Sequence, residues 1–165
     1  MTKSSTVTVR QSPAGEVSAT GMLTVRAEGL EVQSAERVQL IDLTERLRAI
    51  VRGSSVREGI ASLWSMHTTC AVFVNEVQAA LHTDIVRLLE QVVSQNGAWM
   101  HNDPAHSDCD RMNADAHLRA MLLGHSLTLQ VSGGDLVLGT WQRVLAAEMD
   151  GPRTRTIRLQ VLGIS

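Results

Sequence analysis

Residues 126–162 read SLTLQVSGGDLVLGTWQRVLAAEMDGPRTRTIRLQVL, and this stretch decides the fold class. From Ser126 to Val131 apolar and polar residues alternate, as they do in a strand with one solvated face. Ser132-Gly133-Gly134-Asp135 is a hairpin signal, because glycine tolerates the positive φ of a tight reversal. It leads into Leu136-Val137-Leu138. Thr140 to Met149 and Thr154 to Leu162 read as two further strands, split by Asp150-Gly151-Pro152. Strands that follow one another without helices between them pair antiparallel, since parallel neighbours need long crossovers.

The same reading extends upstream. Met22 to Arg26 and Arg37 to Ile41 are strand-like. Asp42 or Thr44 can cap a helix running to about Arg52, with Leu43, Leu47, Ile50 and Val51 on one face and Gly53-Ser54-Ser55 at its end. Ile60 to Met66 is a strand, with Ala71 to Val74 as its continuation or its partner. Leu81, Ile85, Leu88, Leu89 and Val92 mark a second amphipathic helix, ending near Asn96-Gly97. A polar loop spans about Met100 to Met112, and Asn113 is placed to cap a third helix that Gly124 stops after Leu123. About eight strands and three helices without regular βαβ alternation predict an α+β protein with a largely antiparallel sheet. Residues 1–18 read as an N-terminal extension in which Val7 and Val9 allow a short strand, and residues 19–165 as a single domain.

Composition narrows the function classes. Fifteen basic residues against seventeen acidic ones give no cationic excess for nucleic acid, and one Phe with no Tyr leaves few platforms for stacking bases. The absence of a basic start followed by a long apolar run predicts no signal peptide, and no apolar stretch is long enough to span a bilayer. Cys70 and Cys109 form no CxxC pair, which fits a reduced, cytoplasmic setting.

Five of the six histidines fall between His67 and His117. His67 ends an apolar strand, His101 opens a polar loop that also holds His106, Asp103, Asp108 and Asp110, and His117 flanks the apolar stripe of the third helix. Three elements each presenting a histidine suggest an open metal site, with three protein ligands and one exchangeable position. Each histidine also has a plain reading, bonded to a backbone carbonyl or solvated in its loop. Glu76, Asp84 and Glu148 are carboxylates near apolar neighbours that could act as base or orient an imidazole; a salt bridge to an arginine is the alternative. Trp141 covers either a cleft or the core. Arg153, Arg155 and Arg158 could bind phosphate, or could be charges on an exposed strand edge, which is the preferred reading. His82 and His125 lack supporting neighbours and receive no role, and Cys70 reads as a small apolar residue.

His67-Thr68-Thr69, Asn75-Glu76, His101-Asn102-Asp103, Asn113-Ala114-Asp115-Ala116-His117, Leu123-Gly124, Gly139-Thr140-Trp141-Gln142 and Glu148-Met149-Asp150-Gly151-Pro152 together resemble the YjbQ-like family, often labelled secondary thiamine-phosphate synthase. The resemblance runs from about Gly21 to Gly163. It implies a β-sandwich-like core, a homotrimer, and a divalent metal, zinc, held by His67, His101 and His117. It further implies a weak thiamine-phosphate synthase activity, in which an aminopyrimidine diphosphate and a thiazole phosphate join with release of pyrophosphate. The expectation is therefore a metal-dependent enzyme acting on a small phosphorylated metabolite. Glu76, Asp84 or Glu148 would serve as base or orienting group, and Thr68, Thr69, Asn113 and Trp141 would contact substrate. The competing expectation is a trimeric protein that binds a metal or metabolite without turnover.

Overall fold

In the computed structural model, which describes residues 19–165, every strand pairing is antiparallel. Two sheets form. The larger has the order β1 (Leu23–Gln33), β8 (Thr154–Ile164), β3 (Glu58–Ser65), β5 (Ser126–Ser132), β6 (Asp135–Leu136). The smaller has the order β2 (Gln39–Asp42), β7 (Arg143–Glu148), β4 (Cys70–Asn75). Three helices complete the fold: α1 (Thr44–Arg52), α2 (Ala79–Val92) and α3 (Ala114–Leu123), with a short 3₁₀ turn at Met100–Asn102. The expected α+β class and antiparallel pairing hold. The Val7–Val9 strand lies outside the described residues. No described helix is long and apolar enough to cross a membrane.

The main core lies between the two sheets. Leu30, Leu63, Leu129, Ile157, Leu159 and Val161 from the larger sheet meet Val72, Val144 and Ala146 from the smaller, and α1 closes one side with Leu47 and Val51, joined by Leu43 just before it. A second cluster covers the other face of the smaller sheet, where Ala71, Ala147 and Met149 pack against Leu89 of α2 and Ala116 and Ala120 of α3. The layers are thus sheet, sheet, helices. This order explains a contrast in the sequence. Central strand β8 alternates buried and exposed residues because its outer face meets solvent. Strand β7 is buried from Val144 to Glu148 because both its faces are covered.

Several boundaries differ from the sequence reading. Ala71–Val74 neither continues nor pairs with the preceding strand; β3 and β4 belong to different sheets. Strand β7 begins at Arg143 rather than Thr140, with Thr140 and Trp141 in the turn before it. Gly133 and Gly134 make the expected hairpin with φ of 60° and 81°. Asn113 sits at the N-cap position of α3 without capping it, and its amide is used elsewhere. Strand β8 lies between β1 and β3, so Arg155 and Arg158 are not on a sheet edge.

One feature positions the site. The chain passes between the sheets at Ser34–Val38, Met66–Thr69 and Met149–Arg153. These corners are tied together: Ser34 N–H donates to the Arg153 carbonyl at 2.9 Å, Gly151 N–H to that of Arg37 at 2.9 Å, and Met149 N–H to that of Thr69 at 3.1 Å. Gly151 is fitted closely among them, since a Cβ there would stand 2.2 Å from the Glu36 carbonyl oxygen.

Candidate functional site at the sheet-crossing corner

Glu148 ends β7 and Arg155 follows the corner into β8; both are almost fully buried. Arg155 Nε donates to Glu148 Oε2 at 2.5 Å, and Nη2 donates to Oε1 at 2.5 Å and to Thr69 Oγ1 at 2.8 Å. Glu148 Oε1 also accepts the Asp150 N–H at 2.7 Å. Burial disfavours the Arg155 charge, but the Glu148 carboxylate outweighs it and holds the guanidinium above its ordinary pKa. This ion pair stiffens the corner and fixes Thr69.

Asp150 is the hub of the next shell outward. Its side chain is 4% exposed, yet it meets three arginines. Arg111 Nε donates to Oδ2 at 2.9 Å, Arg153 Nη2 at 3.3 Å, and Arg37 Nη1 stands 3.9 Å from Oδ1. Asn113 Nδ2 donates to the same Oδ2 at 2.9 Å. Burial pushes the Asp150 carboxyl up, but the bonds from Arg111 and Asn113 hold it below its ordinary value. Arg37 continues the network, with Nη2 2.9 Å from both oxygens of the buried Asp115. Arg119 lies 3.4 Å from Asp115 and also pairs with Glu90.

Asn113 joins this network to the histidines, because it precedes α3 and α3 carries His117. The loop before α3 is pinned where Asn102 Oδ1 accepts the Ala114 N–H at 2.9 Å, and this brings His101 to His117. Their rings meet edge to face, with centroids 5.1 Å apart. A hollow of about 270 Å³ opens beside them, lined by Trp99, Met100, Ala114 and Leu118. Burial, then the His101 charge, holds His117 below the ordinary histidine pKa.

His67 belongs to a neighbouring hollow of about 340 Å³ with Trp64, Met66, Thr68 and His125. Its Nε2 accepts the Thr156 N–H at 2.9 Å, which places any ring proton on Nδ1 of the neutral form. Burial, then the Arg155 charge, lowers its pKa. His125 Nε2 donates to the Thr68 carbonyl at 3.3 Å, so a histidine given no role from sequence helps shape this hollow.

The residues expected to form one site thus divide. His101 and His117 meet, and His67 lines a different hollow with His125. Thr69 is buried, with Oγ1 accepting from Arg155, and Asn113 is buried, with Nδ2 donating to Asp150; Thr68 is exposed. Glu148 is locked to Arg155 rather than held ready as a base. Glu76 lies beyond Asn75, at the far end of β4 from Cys70, and a six-residue strand separates its ends by roughly 17 Å. Trp141 precedes Arg143 at that same far end and is 71% exposed, so it does not cover the core. Asp84 sits on the solvent side of α2.

A catalytic zinc needs about three protein donors around one point. Among the described residues, no three His, Cys, Asp or Glu side chains gather in that way. The His101–His117 pair supplies two, while His67 spends Nε2 on a backbone N–H. The described residues of one chain do not by themselves fit the expected metal.

Asp150, Arg111 and Arg37 carry the arrangement; Asp150 was quoted only within a motif, and none of the three was given a site role from sequence. One signal was available for Arg155: counting back in twos from Val161 along the buried face gives Leu159, Ile157 and then Arg155. A charge on an apolar strand face needs a buried partner.

An α+β protein with two packed antiparallel sheets and a histidine–arginine corner is the class that fold and site define. The family model described as "UPF0047 protein YjbQ-like" matches residues 28–164. A UPF0047 protein of Methanothermobacter thermautotrophicus is 41% identical over 84% of this chain and 93% of its own length. UPF0047 protein YugU of Bacillus subtilis is 30% identical over 81% and 97%. The crystal structure of a YbjQ-like protein of unknown function from Sulfolobus solfataricus superposes with a TM-score of 0.80 at 33% identity, covering 86% of this chain and 99% of that one. A hypothetical protein from Aeropyrum pernix gives 0.77 at 37%, covering 84% and 98%. The chain belongs to the UPF0047 YjbQ-like family.

Proposed function

We propose that the protein is an enzyme acting on a small phosphorylated metabolite at the hollow beside His101 and His117. The observation that carries this reading is the placement of two facing imidazoles next to a network richer in guanidinium groups than in carboxylates. Guanidinium groups bind phosphoryl oxygens through paired N–H donors, and a neutral imidazole accepts or relays a proton. The apolar wall of Trp99, Met100 and Leu118 suits the organic part of the substrate. Thiamine-phosphate synthesis, implied by the family resemblance, belongs to this class, since both its substrates are phosphorylated and pyrophosphate leaves.

The proposal includes a homotrimer. Its support is exposed apolar surface on the helical layer, at Leu88 and Val92 of α2 and Met121 and Leu122 of α3. Light scattering on purified protein tests the stoichiometry.

One observation favours the second reading, a binding protein without turnover. The three expected catalytic carboxylates are unavailable or distant: Glu148 is locked, Glu76 lies at the other end of β4, and Asp84 faces solvent. A turnover screen separates the readings. Wild type and His117→Gln are incubated with a panel of phosphomonoesters and diphosphates, and phosphate or pyrophosphate release is measured. Turnover that falls at least about a hundredfold in the variant supports the enzyme. Saturable binding with no release from any compound supports the binding protein.

A further inference from the structure

We infer that Arg111 and Arg153, both held on Asp150, form the subsite for the phosphoryl group, and that Asp150 serves as its anchor rather than as a base. This rests on the proposal that a phosphorylated molecule occupies the neighbouring hollow, and it names the groups that recognise it.

The donors available set the argument. A guanidinium carries five N–H donors. Arg111 uses its Nε on Asp150, and its two terminal nitrogens find no acceptor among the described residues. Its side chain is 53% exposed, so those nitrogens face solvent. Arg153 places Nε on the Asp150 carbonyl at 3.0 Å and Nη2 on the Asp150 carboxylate at 3.3 Å, which leaves Nη1. Arg37 adds a buried Nε that has no hydrogen-bond partner among the described residues. One nearly buried carboxylate therefore orients three guanidiniums without saturating them.

Charge points the same way. The connected network holds Arg37, Arg111, Arg119 and Arg153 against Glu90, Asp115 and Asp150, one positive charge in excess. Glu148 and Arg155 cancel one another. An anion entering here loses little by leaving water, since fixed N–H groups replace its hydration. The free donors on Arg111 and Arg153 outnumber what the two oxygens of a carboxylate accept, whereas a phosphoryl group presents three oxygens. Asn113 couples the subsite to the hollow, because it bonds Asp150 and directly precedes Ala114, which lines the hollow with His117. A phosphomonoester or diphosphate would rest its phosphoryl on the arginines and its organic group against Trp99 and Leu118.

The test is titration of the metal-free protein with inorganic phosphate and with pyrophosphate, by calorimetry and phosphorus NMR. Wild type, Arg111→Gln, Arg111→Lys, Arg153→Gln and Arg143→Gln are compared, with circular dichroism of each to confirm folding. Exposed Arg111 is the variant expected to fold normally. Roughly tenfold weaker anion binding in Arg111→Gln, a smaller loss in Arg111→Lys, and near-normal binding in Arg143→Gln, an arginine at the opposite end of β7, are expected. No saturable binding to wild type overturns the inference, and so does a folded Arg111→Gln that binds as wild type does. If the arginine variants lose anion binding while no panel compound is turned over, the subsite stands and the enzyme reading falls.

Discussion

The two ends of the smaller sheet use charge in opposite ways. At one end β7 finishes in Glu148, opposite Cys70 and Gln39, and its carboxylate is sealed against Arg155. At the other end β7 starts at Arg143, opposite Asn75, and its guanidinium reaches Asp42 at 3.0 Å and Glu45 at 3.4 Å with all three partly or largely open to water. Open ion pairs are screened and contribute little. A sealed pair is held by desolvated geometry, and removing one member strands the other. The corner that carries the histidines is therefore rigid, and the opposite end is tolerant of change.

Glu148→Gln tests this most severely. It leaves the Arg155 charge uncompensated in the core and is expected to cost about 3 kcal/mol in urea unfolding. A cost near that of a surface substitution would erase the contrast. Asp150→Asn comes next, at about 2 kcal/mol, because its arginine partners are partly hydrated. Its pH dependence has a definite sign. A carboxyl held below its ordinary value of 3.8 contributes stability above that value and loses it as pH falls through the folded value. The gap between wild type and Asp150→Asn should therefore narrow on acidification. Asp42 is also lowered: burial raises it, and bonds from Thr44 and Arg143 more than offset that. Asp42→Asn should cost only about 0.5 kcal/mol, since asparagine still accepts from Thr44 and the Arg143 pair is screened. The smallest effects belong to Glu76→Gln and Trp141→Ala, each within about 0.5 kcal/mol in unfolding and without change in phosphate affinity. A large loss of affinity in either would bring the two ends into one site.

Much of the fold could be read from the chain because strand alternation and turn chemistry are local. The Gly133-Gly134 hairpin and the helices ending at Arg52 and Leu123 illustrate this. Strand β7 shows the limit: buried on both faces, it has no alternation to fix its start. The assignment of β3 and β4 to different sheets was not legible either, because it is set by partners distant in the chain. In the site, the His101–His117 meeting follows from short range, sixteen residues joined through Asn102 and Ala114. Asp150 with Arg111 and Arg37 was hidden because those partners lie 39 and 113 positions away, and local sequence carries no trace of such pairing. Strand-edge arginines and a carboxylate-bound arginine look alike until the strand order is known.

The position of β8 has a consequence for synthesis. This last strand in chain order lies between β1 and β3, bonded along eleven residues to the first and eight to the second. A nascent chain that has already produced β1 and β3 cannot join them, since their common partner is still inside the ribosome. Arg155, which seals Glu148, arrives with the same strand. The β1–β8–β3 part of the larger sheet and the anchored corner must therefore form together, once β8 has been synthesised. Until then the apolar faces of β1 and β3 are left for chaperones to shield.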